Sequence, residues 1–189
     1  PLIAHRAVEL FHEAGFPRAA IQLLPGRGEV VGAALTADAR VKGVIFTGST
    51  EVAQLINRTL AKRAEAEGID IPLVAETGGQ NALIVDSSAL PEQVVSDVLS
   101  SAFDSAGQRC SALRVLFLQE DIADKTIKML KGAMQELVVG SPDRLATDIG
   151  PVIDAEAQRN LLAHIERMRA TARSHFALEL PTAITSCGT

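Results

Sequence analysis

Tryptophan and tyrosine are absent from this 189-residue sequence, and six phenylalanines supply every aromatic ring, 3% of the chain. With so few π-faces there is no platform for stacking nucleobases. Basic residues do not dominate either. Lys and Arg number 18 against 23 Asp and Glu, a net charge of −5, which excludes nucleic-acid binding through bulk charge. Cysteine occurs twice, at Cys110 and Cys187. Two are too few for a disulfide framework, and a reducing cytoplasm is the expected setting. No apolar run approaches the roughly 18–20 residues that cross a bilayer, so no membrane contact is expected. The opening stretch PLIAHRAVELFHEAG lacks the basic region, long apolar stretch and cleavage site of a signal peptide. It also lacks an initiator methionine, and the sequence is expected to be a piece of a longer protein. The histidines (His5, His12, His164 and His175) lie in no motif, and no Cys/His cluster has metal-ligand spacing.

What is present reads as globular: 47% hydrophobic and 22% charged. Ile3, Ala7, Leu10, Phe11 and Ala14 recur at helical spacing, with Gly15 as a cap and Pro17 beyond it. AIQLLP reads as a short buried strand, and GRGEVVGAALTA as a glycine-rich turn running into a short helix. VKGVIFTG is a strand of β-branched and aromatic residues. STEVAQLINRTLAKRAEAEG is an amphipathic helix with Ser49 as its N-cap. PLVAETGG and NALIVD are two further strands, PEQVVSDVLSSAFDSAG a helix with Pro91 near its start, LRVLFLQ a strand, and IADKTIKMLKGAMQEL a helix. A turn over DIGPVID precedes a last helix. Strands alternate with helices of 10–20 residues, which predicts an α/β fold with a largely parallel sheet. A domain change is expected near Glu76–Gln80.

Four stretches offer chemistry. GRGEVVG is spaced Gly-x-Gly-x-x-x-Gly, not as the dinucleotide fingerprint Gly-x-Gly-x-x-Gly, so a plain strand-to-helix turn and an anion contact both stay open. In FTGSTEV a strand ends, Gly48 turns the chain and Ser49 opens a helix. Ser49 either caps that helix or, with the first backbone N–H groups, holds a pyrophosphate. In ETGGQ, Glu76 stands at the end of an apolar run. It is either a base with a pKa raised by desolvation or a strand-end carboxylate bonded to backbone. In FDSAGQRCSA, Cys110 is either a small apolar residue or a working thiol. For the second reading, Arg109 and nearby N–H donors would favour its thiolate, and Gly107 would leave a substrate room to reach the sulfur.

Taken together and in this order, these stretches resemble the aldehyde dehydrogenase superfamily. FTGSTEV is similar to the family's cofactor strand–turn–helix. ETGGQNALIV resembles its general-base motif, usually Glu-Leu-Gly-Gly, and FDSAGQRCSA its nucleophile motif, Phe-x-x-x-Gly-Gln-x-Cys. DIGPVID is another recurrent family stretch. The likeness extends to about Ala170. From Asn57 to Lys125 it is strongest to the subgroup that oxidises L-glutamate γ-semialdehyde, the open form of pyrroline-5-carboxylate, within bifunctional proline-utilisation proteins. Thr77 in place of the usual Leu, and Ser111 after the nucleophile, fit that subgroup.

The resemblance implies a partial Rossmann-like NAD-binding domain over 1–75 and the start of an α/β catalytic domain over 76–189. It implies Cys110 as nucleophile and Glu76 as the base that activates water. Ser49 would contact the pyrophosphate after the turn at Gly48. Gly28 and Val52 would line the adenine slot, Thr77 and Gly78 would lie by the nicotinamide, and Ser111 would bond the substrate carboxylate. The implied partners are a small aldehyde, the rest of a parent chain and, in the full-length protein, further copies of itself. FAD would belong only to a separate proline dehydrogenase domain. The family's oxyanion asparagine, ribose-binding lysine and Glu-x-Phe-Gly-Pro segment are not in this sequence, so the chain alone is expected to be inactive. Another NAD(P)-dependent aldehyde dehydrogenase, such as one for succinate semialdehyde, and a non-catalytic module are the alternatives.

Overall fold

A computed structural model describes residues 1–178 of the chain. Cys187, on which no role was placed, lies outside the described residues. The chain divides into two compact units, Pro1–Thr77 and Gly78 onward. Each contains one parallel pair of strands joined through a helix, the elementary α/β unit.

The first unit opens with α1 (Leu2–Glu13), whose apolar positions include no buried residue. Gly15, at φ 93°, lets the chain leave the helix, and the Phe11 and Phe16 rings then meet edge to face at 5.4 Å. The strand expected over AIQLLP does not form. Ile21–Pro25 is irregular, the Ile21 carbonyl is hydrogen-bonded to His12 Nε2 at 2.9 Å, and Leu24 is exposed. An apolar run becomes a strand only where a neighbouring strand takes up its N–H and C=O groups, and this one has no such neighbour among the described residues.

The glycine-rich stretch is a π-helical turn, Gly28–Gly32, continuing into α2 (Ala33–Ala37). Strand β1 (Val44–Thr47) then pairs with β2 (Leu73–Glu76), in register Val44↔Leu73 to Thr47↔Glu76. The crossover between them is α3 (Thr50–Glu67). Ser49 Oγ accepts from the Val52 N–H at 3.2 Å, and Gly68 at φ 67° closes the other end. Arg63 fastens α3 to the chain before β1. Its guanidinium donates to the carbonyls of Thr36 (3.0 Å) and Val41 (3.1 Å) and to Glu67 Oε1 (2.9 Å). That hydrogen bond holds the Glu67 carboxyl below its ordinary pKa.

In the second unit β3 (Asn81–Val85) pairs with β4 (Leu113–Leu118). The crossover is α4 (Pro91–Phe103), with proline at the first turn where its missing N–H costs nothing. Helices α5 (Glu120–Gln135) and α6 (Ala155–Arg169) follow. Val85, Val94, Val98 and Leu113 form a buried cluster with Leu83, Leu116 and Ile122 packed on it. The expected parallel pairing is present, but as two separate pairs: β2 and β3 lie in different sheets. Among the described residues no helix is long and apolar enough to cross a membrane.

Candidate active site

In the first unit, the ends of the two parallel strands bring several predicted residues together. The Gly48 N–H donates to the Glu76 carbonyl at 3.1 Å, so the turn after β1 and the end of β2 lie side by side. A Cβ on Gly48 would overlap the far edge of the Phe46 ring, so a larger residue there would push that ring aside. Ser49 and Val52 then form the capped first turn of α3. With the Val52 N–H on Ser49 Oγ and the Ala53 N–H on the Ser49 carbonyl, the N–H groups of Thr50 and Glu51 remain at the positive end of the helix dipole. The carboxyl edge of parallel strands beside a helix N-terminus is where α/β folds take up anionic cofactors. Gly28 begins the π-helical turn, and a Cβ there would meet nothing. Thr77 is half-buried, but Glu76 is exposed. The expected desolvation of the Glu76 carboxylate is therefore not met: only Leu73 in β2 is partly covered, and the strand beyond it faces solvent.

In the second unit the nucleophile motif forms a braced loop. Where α4 ends, Ser105 (φ 56°), Ala106 (φ 53°) and Gly107 (φ 66°) are all left-handed, a conformation that costs a non-glycine residue about 1–2 kcal/mol. Gly107 is buried, and a Cβ on it would stand 2.8 Å from the Ala102 carbonyl oxygen. It is thus needed for the reversal itself. Arg109 to Ala112 then form a turn closed by the Ala112 N–H on the Arg109 carbonyl (3.1 Å). Cys110 and Ser111 occupy its exposed corner, while Ala112 is fully buried.

Arg109 braces the loop. Its guanidinium donates to the Ser100 carbonyl (3.0 Å) and lies 4.0 Å from Asp104, stapling the loop to the end of α4. Three residues to which the sequence assigned no role hold the rest. Arg114, the extra residue of a bulge between β3 and β4, donates to the Gly107 carbonyl at 2.7 Å. Asn81 Nδ2 donates to the carbonyls of Cys110 (2.7 Å) and Ala112 (3.0 Å). Gln108 donates to the Ser105 and Pro151 carbonyls and accepts from the Ile153 N–H at 2.7 Å. This last contact explains DIGPVID. Asp148 ties back to Val138 N–H (2.8 Å), Pro151 and Ile153 grip Gln108, and Asp154 caps α6 through Ala157 N–H (2.8 Å). Gly78 is exposed with open space around it, whereas a Cβ on Gly79 would press on the Cys110 carbonyl at 3.2 Å.

Cys110 is thus a free, exposed cysteine at the corner of a loop held by Asn81, Gln108, Arg109 and Arg114. The family model for aldehyde dehydrogenases matches residues 1–176. The chain belongs to the aldehyde dehydrogenase family. Among its aldehyde dehydrogenase relatives, bifunctional protein PutA of Salmonella typhimurium is 66% identical over 175 residues, which are 93% of this chain and 13% of that protein. A structure of proline utilization A from Bradyrhizobium japonicum superposes with a TM-score of 0.90 at 56% identity, covering 97% of this chain and 19% of the other. A 1-pyrroline-5-carboxylate dehydrogenase from Thermus, solved with bound NAD, superposes at 0.81 with 33% identity, covering 95% and 35%. The α/β aldehyde dehydrogenase fold is common to all of them, and this chain spans a small part of each.

Proposed function

We propose that the protein to which this chain belongs oxidises L-glutamate γ-semialdehyde to L-glutamate, with NAD as hydride acceptor, in the cytoplasmic breakdown of proline. The observation that carries the reading is the braced loop that presents Cys110, in a chain 66% identical to a bifunctional proline-utilisation protein.

The residues present suit NAD. The capped N-terminus of α3, beside the ends of β1 and β2, offers N–H donors to a pyrophosphate, with Ser49 and Gly48 at the contact. Gly28 and Val52 are assigned to the adenine side, Thr77 and Gly78 to the nicotinamide side. NAD, when bound, supplies the hydride acceptor.

The rest of the chemistry belongs to the chain. Cys110 thiolate attacks the aldehyde carbon and forms a thiohemiacetal, and the Cys110 backbone N–H faces the developing oxyanion. Ser111 bonds the distal carboxylate. Once the aldehyde carbon is oxidised to a Cys110 thioester, Glu76 takes a proton from water, and hydroxide releases glutamate and the thiolate. The full-length protein is assigned an oligomeric state, and its FAD is assigned to a separate proline dehydrogenase domain.

A substrate panel on the full-length protein tests the reading. Glutamate semialdehyde should be turned over ahead of succinate semialdehyde, and Ser111→Ala should narrow that preference. Cys110→Ala should abolish NADH formation. Glu76→Gln should leave a stoichiometric burst and lower steady turnover by about 100-fold or more. Turnover that survives Cys110→Ala would sink the assignment.

A further inference from the structure

We propose that Asn81 is a positioning residue for the nucleophile, fixing the Cys110 turn from strand β3; the inference rests on the function proposed above. In the turn from Arg109 to Ala112, the closing bond uses the Arg109 carbonyl and the Ala112 N–H. The carbonyl of Cys110, at the second position, has no partner within such a turn and is free to swing with its peptide plane. Asn81 removes that freedom. One amide nitrogen donates to the Cys110 carbonyl at 2.7 Å and to the Ala112 carbonyl at 3.0 Å, clamping the Cys110–Ser111 and Ala112–Leu113 peptide units at the corner and the exit of the turn.

The placement of Asn81 follows from the sheet. Asn81 is the first residue of β3 and pairs with Leu113, whereas Ala82 pairs with Val115. The bulge that makes this jump leaves Arg114 as the extra residue and sets Asn81 level with the turn. Bulges next to reactive sites re-aim side chains in this way. Gly79 completes the fit, since a Cβ there would meet both Asn81 Oδ1 (3.1 Å) and the Cys110 carbonyl (3.2 Å). Backbone and side chain from one short segment thus converge on the nucleophile's own carbonyl. An attacking sulfur misplaced by about 1 Å loses about 100-fold in rate, so the clamp acts on the chemical step rather than on binding.

The test uses full-length protein with Asn81→Ala, which removes the donor, and Asn81→Asp, which keeps the shape but sets acceptor oxygens against two carbonyls. Leu83→Ala, a core truncation on the same strand, controls for stability. Both Asn81 variants should lower the single-turnover burst of NADH by about 10- to 100-fold while the Kd for NAD stays within twofold. Hydrogen exchange over residues 104–113 should quicken in both, and not in Leu83→Ala at temperatures where each is folded. Asn81→Asp should also move the pH midpoint of Cys110 alkylation upward, because a carboxylate set against the Cys110 backbone adds a negative charge near the ionising group; Asn81→Ala should not. If both variants keep the wild-type burst and exchange, the clamp is refuted. If the wild-type protein oxidises none of the aldehydes, the proposed function fails, and the exchange and alkylation measurements still decide the clamp.

Discussion

At the scale of single residues, one glycine and a serine are readable for good physical reasons. Ser49 stands one residue before a helical period, where a side-chain oxygen is worth most, and it caps α3 through the Val52 N–H. Gly48 follows an apolar strand, and a Cβ there would overlap Phe46. Gly107 carries a conformational role that the motif around it does not announce. Gly107→Ala should destabilise the protein by about 1–3 kcal/mol. The left-handed φ of 66° disfavours alanine, and the new methyl would press on the Ala102 carbonyl. Ala106→Gly, one residue earlier at φ 53°, should be near neutral. There, relief of strain offsets the entropy glycine adds to the unfolded chain. Denaturant midpoints of the two variants check the contrast, and equal losses would show that the loop tolerates no change of any kind.

At the scale of elements, the four strands and the long helices were legible because each carries its own signal. β-branched runs, helical periodicity, a serine cap and a proline at the start of α4 are all local. The failures are non-local. AIQLLP has the composition of a strand but no neighbour to pair with among the described residues. Asn81 was invisible as a clamp because its reach to Cys110 depends on a bulge 33 residues away in β4. Gln108 sits inside the nucleophile motif, and its partner Ile153 is 45 residues on. Each lies in a quoted motif, so the only signal available was an unassigned polar residue beside assigned ones. Gln108→Ala should free the Ile153 N–H, and hydrogen exchange over residues 150–154 should quicken about tenfold, in step with the loss of a net 1–1.5 kcal/mol hydrogen bond. Gln108→Glu keeps the acceptor for that N–H and should retain most of the protection. Exchange unaltered in the alanine variant would mean that the 148–154 segment is held by its own turns alone.

At the scale of the whole molecule, both parallel pairs leave apolar side chains open to water. Ile45 is 86% exposed in β1, Ile84 is 82% exposed in β3, and its register partner Phe117 is 55% exposed in β4. Glu76 and Cys110 are exposed as well. Acyl transfer through a thioester needs oxyanion donors in a water-poor cleft, where a hydrogen bond aimed at the developing charge is worth most. A thiol and a carboxylate standing in bulk water lack that advantage, and loss of a single oxyanion donor already costs about 100- to 1,000-fold. The 189-residue chain on its own, given NAD and glutamate semialdehyde, should therefore form no NADH above its Cys110→Ala background. It should also bind a fluorescent apolar dye through the open strand faces, as uncovered patches do. NADH production by the chain alone, abolished by Cys110→Ala, would show instead that the braced loop and the capped helix suffice for catalysis without further cover. The same chain joined to the rest of a full-length relative should lose the dye signal and gain turnover together, because the surfaces that bind the dye border the strands that carry Glu76 and lead out of the Cys110 turn.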